Sequence, residues 1–394
     1  MPPALDPPLE DTLSRAGEGG RLSRDDAVRL LHPSVPLAPL LAAAAALRNR
    51  GKGRTITYSR KVFIPLTNLC RDRCGYCTFR RNPDDLDAAL LSPDRVLATV
   101  AAGARAGCTE ALFSLGDAPE RAFPEARAGL AALGYERTLD YLRAMCAVVL
   151  DRSPLFPHAN PGLLADADLQ ALRPVSASLG LMLESVSRRL LRPGGAHHGT
   201  RTKDPAMRLG VLEAAGRLRI PFTTGLLVGI GETAEDRVDS LLAIRRLHDR
   251  FGHIQEVILQ NFKSKPGIPM ARAPEPSLDQ MCRLTAVARL LLGGDMNLQA
   301  PPNLTADYSR LLDAGINDWG GVSPVTRDFI NPEAPWPGLA QLREVTEARG
   351  FVLRQRLPVY PEYLRGRREF LADELADRLL SAVGADGLVP EAAA

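Results

Sequence analysis

From residue 59 onward the chain alternates short apolar or β-branched runs with amphipathic stretches of helical length, and this rhythm restricts the fold more than any other feature. Strands separated by helices run parallel, because only a long crossover returns the chain to the same end of a sheet. Eight runs qualify as strands: 61–66, 110–116, 153–159, 176–184, 221–229, 255–262, 296–301 and 315–320. The helices between them carry their own boundary signals. "SPDRVLATVAAGARAG" opens with Ser92 as N-cap and Pro93 at the first helical position. "TAEDRVDSLLAIRRLHDRFG" opens with Thr233-x-x-Asp236, a capping pattern, and its apolar face is Val238, Leu241, Ile244, Leu247 and Phe251. "SLDQMCRLTAVARLLLGG" stops at a glycine pair.

Eight β-α units in about 260 residues match an α/β fold of the (β/α)8 TIM type. The alternative, an open doubly wound sheet, lacks its usual G-x-G-x-x-G after the first strand. No internal repeat is visible. The organisation expected is an N-terminal extension over 1–54, partly disordered or helical, a barrel over 55–325, and a C-terminal cap and tail over 326–394. Within the extension, residues 1–22 are rich in Pro, Gly and charge and are expected to be poorly ordered, whereas 23–32 and 39–51 read as short helices. Beyond 350 one more amphipathic helix, "REFLADELADRLLSAVG", is expected to pack on the barrel as a cap.

A net charge of +3 over 394 residues, with no basic run interleaved with aromatics, argues against a nucleic-acid partner. The apolar run at 36–47 is broken by prolines and too short to span a bilayer, so no membrane role is expected. The N-terminus lacks a basic segment followed by an apolar core, so it does not read as a secretory signal. Cys108, Cys146 and Cys282 are isolated, which is no disulfide framework and points to a reducing cytoplasm. They read as small buried apolar residues.

The other three cysteines stand in "NLCRDRCGYC" as C-x3-C-x2-C: Cys70, Cys74 and Cys77. Three clustered thiols suit a metal, yet a structural zinc site wants four ligands and its motifs come as paired knuckles, of which no second is present. An electron-transfer ferredoxin would need a fourth cysteine nearby. A 4Fe-4S cluster held by three thiolates instead leaves one iron open to an external ligand. The motif also follows the first strand, at the face where barrel active sites sit.

This spacing, with an aromatic residue, Tyr76, before the last cysteine, resembles the radical S-adenosylmethionine (SAM) enzymes. The resemblance implies a radical SAM barrel, a 4Fe-4S cluster with an open iron, and SAM as cofactor. It further implies SAM contacts at three places. "LGDAPE" after strand two stands where the family has a G-G-E-like turn, giving Gly116, Asp117 and Glu120; the departure from G-G-E shifts weight to backbone carbonyls. Glu184 and Ser185 end strand four, at the position that binds the ribose hydroxyls or carboxylate of SAM. "GLLVGIGE" fits the G-x-I-x-G-x-x-E pattern of strand five as Gly225, Leu227, Gly229 and Glu232, with Leu for Ile.

Longer strings narrow the resemblance. "YSRKVFIPLTNLCRDRCGYCTFRR", "LLRPGGAHHG", "IPFTTGLLVGIGET", "GHIQEVILQNFKSKPG" and "NDWGGVSPVTRDFINPEAPWP" are similar to the CofG family of 7,8-didemethyl-8-hydroxy-5-deazariboflavin (FO) synthase subunits, over roughly residues 55 to 360. The length resembles the stand-alone subunit and not the long fused form. The resemblance implies a lyase-type synthase. Its partner, a CofH-type enzyme, supplies 5-amino-5-(4-hydroxybenzyl)-6-(D-ribitylimino)-5,6-dihydrouracil. An external low-potential electron donor feeds the cluster, a 5′-deoxyadenosyl radical abstracts hydrogen, and ring closure releases ammonia.

A ribityl-pyrimidine is neutral and hydroxyl-rich. Strand ends rich in neutral hydrogen-bonding groups, His158, Asn160, Asn261, Gln299, Asn303 and Asn317, together with Asp318, suit it as a substrate site, although strand-end Asn and Asp are also ordinary turn residues. Trp319 is read as a stacking residue or barrel core, and Asp318 as a candidate catalytic carboxylate in a segment expected to follow the eighth strand. His197 and His198 are candidate proton relays or a solvated pair. Arg71 and Arg73 are candidates for tuning the cluster or are simply exposed. Three rivals remain. A sulfur-inserting radical SAM enzyme would need a second cluster motif, which is missing. A CofH-type joining enzyme shares fold and motif. A non-catalytic iron–sulfur sensor would not need the SAM elements.

Overall fold

A long strand, β1 (Thr55–Thr67), organises the protein. The computed structural model describes residues 7–391. After β1 come β2 (Glu110–Leu115), β3 (Phe156–Asn160), β4 (Ser178–Gly180), β5 (Phe222–Val228), β6 (Ile254–Asn261), β7 (Leu298–Gln299) and β8 (Asp318–Val322). All run parallel in sequence order, and β1 pairs with both β2 and β8, which closes an eight-stranded barrel. Each expected strand is present.

β1 is long because it serves two neighbours on one side. Its second half, Lys61 to Thr67, pairs with β2; its first half, Thr55 to Ser59, pairs with a ninth strand, β9 (Val352–Arg356). The sequence reading missed β9 and placed only a helix beyond residue 350. That helix is present at Asp373–Ser381. Together with Leu357, Val359 and Tyr360 it packs on Phe156 and Ala177, at the starts of β3 and β4. The C-terminal segment therefore plugs the end of the barrel opposite the cysteines.

Side-chain alternation gives the barrel two faces. Val62, Ile64 and Leu66 of β1, Ala111 and Phe113 of β2, and Val257 and Leu259 of β6 are buried against the surrounding helices. Their neighbours Lys61, Phe63, Glu110, Leu112, Ser114, Glu256, Ile258 and Gln260 face an internal cavity. The helix starts read from sequence hold: Ser92 Oγ accepts from Arg95 N, and Thr233 with Asp236 forms a reciprocal capping box. Gly293, with φ of 92°, ends the helix Leu278–Leu292.

The N-terminal expectation needs correction. Residues 1–6 lie outside the described part, but Pro7–Gly17 is a helix that buries Leu9, Leu13 and Ala16. Apolar spacing of three to four residues outweighs the Pro, Gly and charge around it. Helices Arg24–Leu30 and Leu37–Lys52 follow as expected. No helix among the described residues is long and apolar enough to cross a membrane.

Candidate active site

The cysteine loop leaves the C-terminal end of β1 and folds back over the barrel mouth. It is held by backbone: Gly75 N donates to Ala196 O (2.7 Å), Met270 N donates to Gly75 O (3.0 Å), and Arg71 N donates to Asp117 O (3.3 Å). Gly116 permits this approach, because a Cβ there would overlap the Leu69 carbonyl and come within 2.7 Å of Cys70 Cβ. Cys70 Sγ accepts from the backbone N–H of Asp72 (3.4 Å) and of Asp117 (3.2 Å).

Cys70, Cys74 and Cys77 line one cavity of about 270 Å³ at the mouth, together with Tyr76, Gly116, Asp117, Asn160, Glu184 and Asn261. Burial pushes the Cys70 thiol up to about 12 and the Cys74 thiol to about 11, because a thiolate kept from water is disfavoured. Among the described residues no three His, Cys, Asp or Glu side chains gather closely enough to hold a single metal ion. A cluster, whose thiolates each bind a different iron, fits an open wall of thiols with N–H donors aimed at sulfur better than zinc does.

Charged pairs frame the cavity. Glu184, in the left-handed region at φ 66°, places Oε1 2.5 Å from Lys203 Nζ. Burial would raise its carboxyl, but Lys203 and Arg208 hold it below the usual range. Arg71 Nε donates to Asp117 Oδ1 (2.7 Å), and Leu163 N donates to Asp117 Oδ2 (3.2 Å). Arg71 is thus committed to Asp117. Tyr76 OH and His197 Nε2 share a hydrogen bond of 3.2 Å; burial takes this imidazole down to about 4, while His198 is exposed.

A second cavity of about 180 Å³ lies deeper in the barrel. Ser114, Asn160, Met182, Gln260, Ile330 and Asn331 line both, so the two are stacked along the barrel axis with a common wall. His158 and Gln299 face the deeper one, as does the stacked pair Phe63 and Trp336, with ring centroids 5.1 Å apart and planes 9° apart. Its floor is ionic. Lys61 Nζ lies 2.8 Å from Glu110 Oε1, and Arg356 of β9 reaches Glu256 at 3.2 Å and Asp318 at 2.6 Å. The neutral lining expected from sequence is therefore only the upper part of this chamber.

Several sequence assignments are moved. Asp318 begins β8 instead of following it, and its carboxylate is bound by Arg356, Thr57 Oγ1 and Gly320 N at the floor, away from the cysteines. Trp319, one residue on, points outward: its Nε1 donates to Thr346 Oγ1 (3.0 Å) and its ring meets Tyr308 edge-on. The tryptophan facing the chamber is Trp336. Asn317 is engaged outside by Arg289 and Leu298 N. Asn303 does not line the cavities; its Nδ2 binds Asp328 and Ala334 O and tethers the loop that carries Ile330, Asn331 and Trp336. Asn261 faces the mouth cavity and donates to Leu304 O.

Glu120 is turned aside by the left-handed Ala118 and accepts from Thr138 Oγ1 (2.6 Å). Ser185 Oγ accepts from Ser187 N. Glu232 clamps the turn after β5 by accepting from Gly229 N and Ile230 N (2.8 Å each) and from Arg237. Gly225 and Gly229 serve packing: a Cβ on the first would strike Ile258, and on the second Pro276. Of the strand-five set only Leu227 lines the mouth cavity.

Lys61, Glu110, Glu256, Lys203, Arg208 and Arg356 were missed from sequence. Three had a signal: Lys61, Glu110 and Glu256 are charges inside otherwise apolar strand runs, which is where buried ion pairs and sites are found.

A family model described as the Radical SAM superfamily matches residues 64–244. The chain is 51% identical over 380 residues to the FO synthase of Nocardia farcinica (93% of this chain, 44% of that protein) and 48% identical over 379 residues to that of Streptomyces coelicolor (93% and 44%). It is 50% identical over 311 residues to the 7,8-didemethyl-8-hydroxy-5-deazariboflavin synthase of Methanopyrus kandleri (79% and 93%). The chain thus spans less than half the length of the first two and nearly all of the third. In fold it is similar to the FeFe-hydrogenase maturase HydG of Carboxydothermus hydrogenoformans (TM-score 0.72, 19% identity, 94% of this chain and 86% of that one). It is also similar to methylornithine synthase (TM-score 0.66, 19% identity, 88% and 97%).

Proposed function

This chain belongs to the 7,8-didemethyl-8-hydroxy-5-deazariboflavin (FO) synthase family of radical SAM proteins, and from that premise we propose that it closes the deazaflavin ring. The substrate is 5-amino-5-(4-hydroxybenzyl)-6-(D-ribitylimino)-5,6-dihydrouracil, supplied by a CofH-type partner, and ammonia is released as in a carbon–nitrogen lyase. The observation that carries this reading is the stacking of a three-thiol mouth cavity directly on a chamber lined by a flat aromatic pair and polar groups.

Cys70, Cys74 and Cys77 would hold a 4Fe-4S cluster through three of its irons. When bound, the cluster and SAM supply the radical that takes hydrogen from substrate, with an external low-potential donor providing the electron. The chain's own residues do the rest. Glu184 and Asp117, fixed by Lys203 and Arg71, offer acceptors for the hydroxyl and ammonium groups of SAM at the mouth. Asn160, shared by both cavities, reaches the junction between them. The stacked pair of Phe63 and Trp336 offers a flat apolar face for the hydroxybenzyl or pyrimidine ring. Gln299 and Asn331 offer hydrogen bonds to ribityl hydroxyls.

The loop bearing Ile330 and Asn331 lines both cavities at their junction. It is pinned by Lys265 Nζ, which donates to Ile330 O (2.7 Å) and Asn331 Oδ1 (2.6 Å). We place the reaction in the cytoplasm, whose reducing conditions suit unpaired thiols.

Anaerobic incubation with SAM, a reductant and the CofH-type product, read by mass detection of the deazaflavin, tests the proposal. Formation of the deazaflavin with one 5′-deoxyadenosine per turnover is expected. Consumption of tyrosine and ribityl-diaminouracil instead would assign the joining step, and cluster binding without SAM cleavage would assign a sensor.

A further inference from the structure

We propose that His158 is the proton acceptor of the ring-closing reaction, held in the one tautomer that presents an unprotonated Nε2 to the chamber. This rests on the deazaflavin reading above but is fixed by geometry of its own. Ser178 Oγ donates to Pro358 O (2.9 Å), and a proline carbonyl can only accept. The serine's single proton is thereby used. The 2.7 Å contact between Ser178 Oγ and His158 Nδ1 must then be donated by Nδ1–H. His158 and Ser178 are register partners on β3 and β4, and Pro358 comes from the C-terminal plug, so three separate segments set one tautomer.

Nε2 is left with its lone pair. His158 faces the chamber, and among the described residues no hydrogen bond is made to Nε2. A Cβ on Gly180 would stand 3.0 Å from Nε2, so the missing side chain keeps that nitrogen open. The chamber's carboxylates are committed elsewhere. Glu110 is held by Lys61 and Ser59, Glu256 by Arg356, Tyr360 and Thr223, and Asp328 by the backbone and side chain of Asn331. Burial, aided by Lys61 and Arg356 against the pull of Glu110, takes the imidazole down to about 4, so it is unprotonated at working pH.

The step is redox-neutral. A bond to hydrogen on the closing ring breaks, its electron pair stays with the substrate, and the proton goes to Nε2, giving an imidazolium. An imidazolium so disfavoured by burial hands the proton to the departing amino group, which leaves as ammonia.

Two measurements test this. In protein labelled with 15N at histidine, with the signals assigned through His158→Gln, the wild type is expected to carry hydrogen on Nδ1 and none on Nε2 between about pH 6 and 8. Ser178→Ala is expected to raise the Nε2–H signal. In turnover, His158→Gln is expected to lower deazaflavin formed per 5′-deoxyadenosine about a hundredfold, with partial recovery on adding imidazole. A proton on Nε2 in the wild type, or an unchanged product ratio in a folded His158→Gln protein, overturns the assignment. If the wild type forms no deazaflavin, the functional reading falls. The imidazole spectrum then decides alone: a lone pair at Nε2 upholds His158 as an acceptor, and a proton there removes it.

Discussion

Lys61 and Glu110 face each other as direct partners across the β1–β2 pairing, with Nζ 2.8 Å from Oε1 and both side chains out of water. Removing one partner of a buried pair strands the other, at about 3–5 kcal/mol. Lys61→Met is therefore expected to lower stability by that amount in denaturant titration, and Lys61→Met with Glu110→Gln to recover part of it. A double-mutant cycle checks this; simple additivity would show that the two are not coupled.

The same pair sets an acid limit. Burial would raise the Glu110 carboxyl, but Lys61, His158 and Arg356 hold it below its ordinary value of 4.5. In such a group the unfolded chain takes up the proton first. Its contribution is complete above about pH 4.5 and is lost as pH falls through the depressed folded value. Stability measured from pH 6 downward is expected to decline below about 4.5 in the wild type and to decline less in Glu110→Gln.

The proposed cluster would depend on three thiols and on the backbone that delivers them. Cys70→Ala, Cys74→Ala and Cys77→Ala are each expected to abolish the 4Fe-4S absorbance after anaerobic reconstitution. Gly116→Val is expected to lose cluster with all three cysteines present, because the new side chain displaces Leu69 and Cys70. Cys146→Ala and Cys282→Ala are expected to load normally, at a cost of about 1 kcal/mol for the small void.

Glu184 combines a carboxylate with a left-handed backbone. Glu184→Ala and Glu184→Gly both free Lys203 and are expected to weaken SAM binding by calorimetry. The glycine variant should be the more stable of the two by about 1 kcal/mol, since it alone removes the steric cost of that φ. Unchanged affinity in both would remove Glu184 from the SAM site.

Asp318→Asn is expected to act on structure. Arg356 would lose a charged partner at the barrel floor, and stability, 5′-deoxyadenosine and deazaflavin should fall together. A selective loss of deazaflavin in a protein of wild-type stability would return Asp318 to the substrate site.

The gathering of the thiols at the mouth was legible because it is local. Cys70, Cys74, Tyr76 and Cys77 lie within eight positions, and the helix caps at Ser92 and Thr233 act over three residues, so their meaning survives without a fold. The barrel was legible because alternation of strand and helix repeats along the chain. The chamber was not. Which face a strand residue presents depends on its absolute register, since side chains alternate with a period of two. Placing β8 at 315–320 instead of 318–322 put Asp318 and Trp319 at the mouth, whereas the true register sends one to the floor and the other outside. The floor's charges come from β1, β2, β6, β8 and β9, and Arg356 is 100 residues from Glu256 and 38 from Asp318. No spacing rule joins such residues. Closure of the barrel and docking of the C-terminal plug decide that they meet, and the same docking brings Pro358 to Ser178 and so chooses the proton-free nitrogen of His158.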